Sequence, residues 1–411
     1  MNKQIPSGYK HTKVGIIPED WELVKLGDIA TFLKGNGISK EEITEDGIAC
    51  IRYGELYTKY KEKINQIYCK TINKNALVYG YKNDVLMPSS GETAIDIATA
   101  SCLQIDAVAL GGDINIIRTK CNGIFLSYYL NVVSKAKIAA LAQGASVIHL
   151  YSTHLKILPI ALPVLEEQEK IAEILSTWEN AIARQEQLIE QQQIFIKAMM
   201  RQIFSQKIRF NGNNCNNYPA WEEKTLDKIG NIIGGGTPDT KKQEYWNGEI
   251  NWFTPTELKS KYVSVSNKTI SSLGLKKSSA KLLPKQTILL TTRATIGDIS
   301  ICTQECTTNQ GFQNIVVNKD KYNNEFVYYL ILNNKLKLIE KASGSTFPEI
   351  SKTELAKIIF LIPLLEEQTK IADFLTSVDA EIINQTEILV QLKQQKKSLM
   401  QKLLTGQIRV V

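Results

Sequence analysis

The sequence predicts an α+β fold in which two globular domains are joined by two long antiparallel coiled-coil helices. Three observations predict it. The chain matches itself at a shift of 200 residues, the matched segments carry a sustained heptad pattern, and the stretches between them alternate short apolar runs with polar loops. With 411 residues, 22% charged and 43% hydrophobic, the chain can hold two or three domains and is not disordered throughout.

The repeat is clearest where Pro163-Val-Leu-Glu-Glu-Gln-Glu-Lys-Ile-Ala172 matches Pro363-Leu-Leu-Glu-Glu-Gln-Thr-Lys-Ile-Ala372, in a register that holds through Ile208-Arg209 and Ile408-Arg409. The same shift relates Trp21 to Trp221, Leu26 to Leu226, Tyr128-Tyr129-Leu130 to Tyr328-Tyr329-Leu330 and Gly144 to Gly344. A unit of this length is too long for a solenoid repeat, so each copy is a domain with an appendage. The expected divisions are residues 1–160, 161–210, 211–360 and 361–411: body, helix, body, helix.

The appendages read as helices. Ile171, Leu175, Trp178, Ile182, Gln185, Ile189, Gln192, Ile196, Met199 and Ile203 advance by fours and threes, the seam of a coiled coil. The second copy offers Ile371, Leu375, Val378, Ile382, Gln385, Leu389, Leu392, Lys396, Leu399 and Leu403. Gln185 and Gln385 occupy the same heptad position, either as a device against slipped registers or as polarity tolerated at a wet flank. Glu166-Glu167 and Glu366-Glu367 sit where the positive end of a helix dipole favours anions, and Gly406 is a suitable stop. From residue 166 to 206 such a helix runs roughly 60 Å. Because both copies lie in one chain, they can pair antiparallel without a partner and hold the bodies apart.

Within the bodies, Ala76–Gly80, Ala107–Leu110, Ile114–Ile117, Thr287–Leu290 and Asn314–Val317 read as strands, and Phe125–Leu141 and Phe326–Lys341 as one helix each. Function should sit on the loops. Ile51-Arg-Tyr-Gly-Glu-Leu-Tyr-Thr58 brings an arginine, aromatics and a carboxylate together, and Pro88-Ser-Ser-Gly-Glu-Thr93 is a small polar turn; Asn251–Lys259 and Thr291–Gly297 occupy the corresponding places in the second copy. Arginine is the commonest reader of a guanine edge, carboxylates accept from cytosine, and serine and threonine contact phosphates or bases. The candidates for DNA contact are therefore Arg52, Tyr53, Glu55, Tyr57, Ser89, Ser90 and Glu92 in the first body, and Thr254, Thr256, Glu257, Lys259, Thr292 and Arg293 in the second. Ordinary turn chemistry is the competing explanation of each.

Several classes are disfavoured. A formal charge of +7 tolerates a polyanion without demanding one. No window approaches the roughly 18 apolar residues of a membrane span, and the N-terminal segment lacks a signal peptide's apolar core, so a cytoplasmic protein is expected. The seven cysteines, Cys215 among them, are scattered, and Cys302 and Cys306 form one close pair only, so reduced thiols and no metal are expected. The sequence holds neither the Asn/Asp-Pro-Pro-Tyr/Phe of an adenine methyltransferase nor a P-loop; Gly234-Gly-Gly-Thr237 reads as a flexible turn. Pro238-Asp239 followed by Glu257-Leu-Lys259 fits a permissive magnesium-nuclease pattern that the first body does not repeat.

With the motif Pro-x-Leu-Glu-Glu-Gln-x-Lys-Ile-Ala in duplicate, the chain resembles, over nearly its whole length, the specificity subunit of type I restriction-modification systems. Gly8–Glu22, Ile51–Thr58, Ser89–Thr93, Gly111-Gly-Asp113 and Thr308-Asn-Gln-Gly311 also look like segments of that family. The resemblance implies that each body is a target recognition domain reading one half of a split sequence on double-stranded DNA, about a helical turn of ~34 Å apart. It implies that the helices form an antiparallel spacer whose ends help dock two methyltransferase subunits that use S-adenosylmethionine, with two restriction-motor subunits joining, with magnesium and ATP, where the system cleaves. The chain itself would hold no cofactor and do no chemistry. The alternative from the residues alone is a non-DNA scaffold holding two ligand-binding modules apart.

Overall fold

The two heptad segments form uninterrupted 40-residue helices, Leu165–Phe204 and Leu365–Leu404. The structure is a computed structural model and describes residues 5–73, 77–144, 147–212, 218–293, 295–344 and 348–410; Ala76, Cys215 and Ala294 lie outside them. It divides into one compact unit of residues 1–186 and 388–411 and another of residues 187–387. Each unit thus contains one body, the first half of the helix that follows that body, and the last part of the other helix. No helix among the described residues is long and apolar enough to cross a membrane.

In the first unit the helices run antiparallel. Glu167 meets Arg409 at 2.7 Å, Glu179 meets Lys396 at 2.8 Å and Glu186 meets Lys393 at 2.6 Å, so one residue number falls as the other rises. The second unit repeats this order: Arg209 meets Glu367 at 2.7 Å, and Ile196, Met200 and Ile203 share a core with Ile371 and Leu375. Every seam position from Ile171 to Ile203 and from Ile371 to Leu403 is buried or half-buried. Gln385 donates to Glu381 one turn back on its own helix.

The duplicated motif is explained by what its side chains hold. Glu167 is 2% exposed and accepts the Trp21 indole N–H at 3.0 Å and two guanidinium bonds from Arg409, at 2.7 and 2.9 Å. Glu367 accepts the Trp221 indole at 3.2 Å and Arg209 at 3.1 and 2.7 Å. Both carboxylates therefore clamp body to helix, a larger role than complementing a dipole, and such charge-assisted bidentate pairs are strong. Gln168 accepts from the Asn122 N–H at 3.0 Å and donates to the Pro163 carbonyl at 2.8 Å; Gln368 does the same with Asn323 and Pro363, both at 2.9 Å. The second helix ends on Gly406 at φ +69°, where an added Cβ would lie 2.4 Å from Pro18; the first ends on Gln206 at φ +60°.

Each body carries a five-stranded sheet of the same order. In the first the strands run Ala30–Lys34, Ile114–Thr119, Val85–Pro88, Ser101–Leu103 and Lys63–Ile64; in the second, Gly230–Gly234, Gln313–Val317, Ile288–Leu290, Ile299–Cys302 and Tyr262–Val263. A second sheet has five strands in the first body and three in the second, the latter centred on Trp246–Phe253. The single helices expected at residues 125–141 and 326–341 are each broken in two, into Gly123–Val132 and Lys135–Leu141, and into Asn324–Asn333 and Lys335–Glu340. In the second copy Asn334 makes the break, its side chain donating to the Leu330 carbonyl at 2.8 Å in competition with the backbone.

Candidate nucleic-acid interface

Backbone bonds draw separate loops of the first body to one place. Gly35 N–H donates to Ile114 O at 3.0 Å, Asn36 to Leu110 at 3.0 Å, Gly111 to Ile51 at 2.8 Å, Ser89 to Asp113 at 2.7 Å and Leu150 to Ser89 at 2.9 Å. The second body repeats the scheme: Gly236 donates to Thr308 at 2.8 Å, Asn309 to Phe253 at 3.1 Å, Thr292 to Gly311 at 2.8 Å and Ile350 to Thr292 at 3.1 Å. The approach is close enough to require glycine. A Cβ on Gly35 would fall 2.1 Å from Gly111 O, and one on Gly235 1.9 Å from Asn309 O. Gly235 is therefore a packing site, and the flexible turn expected there is a tight one.

On this frame the first loop closes through Glu55, which opens the short helix Glu55–Thr58 and is 7% exposed. Its carboxylate accepts Arg52 N–H at 2.9 Å, Lys59 Nζ at 2.8 Å and Cys69 Sγ at 2.8 Å. Burial alone would raise its pKa, but the bonds from Cys69, Lys59 and the Arg52 amide outweigh it and hold the group below the usual range. Glu257 does the same work in the second body, accepting Thr254 N–H at 2.7 Å, Thr254 Oγ1 at 2.6 Å and Asn267 N–H at 2.6 Å. Arg52 and Tyr57 are half-buried, while Tyr53, Glu92, Thr256 and Lys259 are exposed. Burial, then the charges of Tyr53, Glu92 and Asp96, pushes the Tyr57 hydroxyl up, and the ring reaches the second loop, where a Cβ added at Gly91 would lie 3.9 Å from Tyr57 Cε1.

The polar turns diverge over a shared backbone. Ser89 is buried at 8% and Thr292 at 0%, where the Thr292 hydroxyl donates to Gly311 O at 3.4 Å. Beside them Ser90 lies across a two-residue ladder from His149, with Oγ 2.9 Å from Nδ1, and Arg293 lies across a bridge from Glu349, with Nε 2.7 Å from Oε1. Sequence reasoning missed His149 and Glu349. They stand 200 residues apart in a stretch where most paired positions differ, so nothing in the sequence set them apart. Lys34, Asp113 and Tyr151 join His149 around a hollow of about 240 Å³, with the Tyr151 ring 6.2 Å from His149 and edge-on to His154 at 5.8 Å. Among the described residues no three His, Cys, Asp or Glu side chains cluster as a metal site would require.

The family described as Type I restriction modification DNA specificity domain matches residues 18–192 and again residues 219–394, one match for each copy of the repeat. The chain belongs to that family. The putative type I restriction enzyme MjaX specificity subunit of Methanocaldococcus jannaschii is 29% identical over 98% of this chain and 97% of its own length. The MjaIX specificity subunit of the same organism is 41% identical over 180 residues, 42% of this chain and 41% of that protein. In fold, the solved type I restriction-modification S subunit from M. genitalium superposes with a TM-score of 0.61 at 16% identity, covering 98% of both chains. Nothing in these comparisons favours the non-DNA scaffold.

Proposed function

We propose that this specificity subunit reads a two-part DNA sequence, one half through each body. The observation that carries the reading is the pair of loop clusters built on one backbone scheme with different side chains at their tips, as two readers of different half-sites require. Contacts from Arg52, Tyr53, Tyr57 and Glu92 in one body, and from Thr256, Lys259 and Arg293 in the other, are supported by the loops that carry them. Glu55, Glu257, Ser89 and Thr292 serve the loops themselves and orient their neighbours. On this reading methylation and cleavage belong to partner chains with S-adenosylmethionine, magnesium and ATP, and this chain does no chemistry.

Two methyltransferase subunits would dock at the helix starts. Val164 and Leu364, at the same repeat position, are 64% and 54% exposed, and exposed Leu165 and Leu365 follow them. In the second unit this step borders a cleft of about 690 Å³ with Tyr322 and Lys224 on its wall. Matching apolar steps on charged ground suit two copies of one partner.

The test is to map N6-methyladenine in cells expressing this chain with its methyltransferase partner. A gapped, two-part motif is expected, and four residues inserted after Gln185 should change the number of unspecified bases between its halves. An ungapped motif, or a gap indifferent to the insertion, would refute the reading.

A further inference from the structure

The bridge pairs Ser90–His149 and Arg293–Glu349 occupy one place in two copies of a frame, and the frame holds them identically. His149 exchanges both backbone bonds with Gln143, at 3.0 and 2.7 Å; Glu349 exchanges both with Ser343, each at 2.9 Å. The residue after each, Leu150 or Ile350, donates to the carbonyl of the residue just before the bridge partner, Ser89 or Thr292. Because these bonds use only backbone atoms, the frame does not require either pair of side chains. Packing does not account for the accessible members: Arg293 and Glu349 are 48% and 38% exposed, and His149 is half-buried on the hollow, while Ser90, 5% exposed, lies behind the imidazole.

The two pairs differ in what they offer a ligand. Arginine carries only donors in a planar fork, and a carboxylate on Nε fixes the plane of that fork. A fork of fixed orientation suits two acceptors on one edge, as guanine presents with O6 and N7. An imidazole whose Nδ1 is engaged by the buried Ser90 hydroxyl presents Nε2 alone, one donor or acceptor whose sense the Ser90 bond sets, which suits a single group on a base edge.

Resting on the reading of each body as a half-site reader, we infer that the bridge pair is a specificity determinant: Glu349 positions Arg293 for a guanine in the second half-site, and Ser90 positions His149 for a single base-edge contact in the first. Glu349 is a positioning residue, so its test needs a readout that a merely structural role would leave unmoved.

That readout is discrimination at single base pairs. The complex of this chain with its methyltransferase partner is assembled with wild type, Glu349→Gln or His149→Ala, and bound to its methylated motif and to every single-base-pair variant of it. For Glu349→Gln, discrimination at one guanine position of the second half-site should fall on the order of tenfold or more, the scale of one bidentate contact, with the first half-site unaffected. His149→Ala should do the converse. Unchanged discrimination at every position overturns the inference, and so does an equal loss of affinity for all sequences, which would make the residues structural. If the wild-type complex shows no two-part motif, the underlying reading fails instead.

Discussion

In the first unit Glu179, on one long helix, takes its cation from Lys396 on the other, 2.8 Å away, and that ammonium also lies 5.5 Å from the centre of the Tyr128 ring. In the second unit the residue 200 positions on is Asp379, which accepts from the Tyr329 hydroxyl. Its neighbouring cation is Lys261 from the body, 6% exposed, which donates to Tyr329 at 3.0 Å and Thr376 at 2.9 Å and pairs with Glu325 at 2.6 Å. The counterpart of Lys396 is Ile196, in the apolar core. A carboxylate half-hidden between helix and body needs a cation nearby, but either side of the contact can deliver it. The two copies have solved the same problem from opposite sides, so body and helix in each unit are matched sets. A second body grafted onto the first unit's helices would bring Lys261 beside Lys396.

The comparison breaks most readily at Lys261. Replacing it with Met leaves Glu325 and Asp379 without their buried cation and should cost the second unit about 3 kcal/mol. Hydrogen exchange should show weakened amide protection across residues 222–360 with residues 20–160 unaltered; equal protection in both would mean that Lys261 is not the counterpart of Lys396. Lys396→Ile, which copies the second unit's residue into the first, should act on the first unit alone. Since Lys396 and Glu179 are 15% and 19% exposed, the expected cost is smaller, about 2 kcal/mol, read as a lower urea midpoint for the first unit.

A pH series sharpens the comparison with the smallest effect. Glu62 is held above the usual glutamate range by burial and then by the neighbouring charge of Glu179. The folded state thus holds its proton more tightly than the unfolded chain. That stabilisation is full in acid, below the unfolded value, and is lost as pH rises through the folded one. Glu62→Gln, a mimic of the protonated acid, should match wild type in acid and gain on it in thermal stability as pH increases. A constant difference across the series would show that Glu62 does not titrate in the folded unit.

The repeat, the two long helices and their seams were legible in the sequence because each is written at short range. A heptad recurs every seven residues, and the duplicated motif stands in the same register for nearly fifty. The clamp needed more: Trp21, Glu167 and Arg409 each show a repeat partner, but nothing along the chain says that they touch. The candidate site was half legible. Its loops could be picked by their polar and aromatic content, yet composition does not tell which carboxylates bond within their own loop, as those of Glu55 and Glu257 do. His149 and Glu349 went unnoticed because each sits far in sequence from the turn it completes.

What the amino-acid order decided alone was local and periodic: where helices run, which faces of them are apolar, and that everything occurs twice. The tertiary structure decided which distant half-helix completes each unit, which charge answers which, and which side chains crown the candidate loops. Those choices depend on contacts between residues tens to hundreds of positions apart, where desolvation and close packing, rather than propensity, select among partners that look alike along the chain.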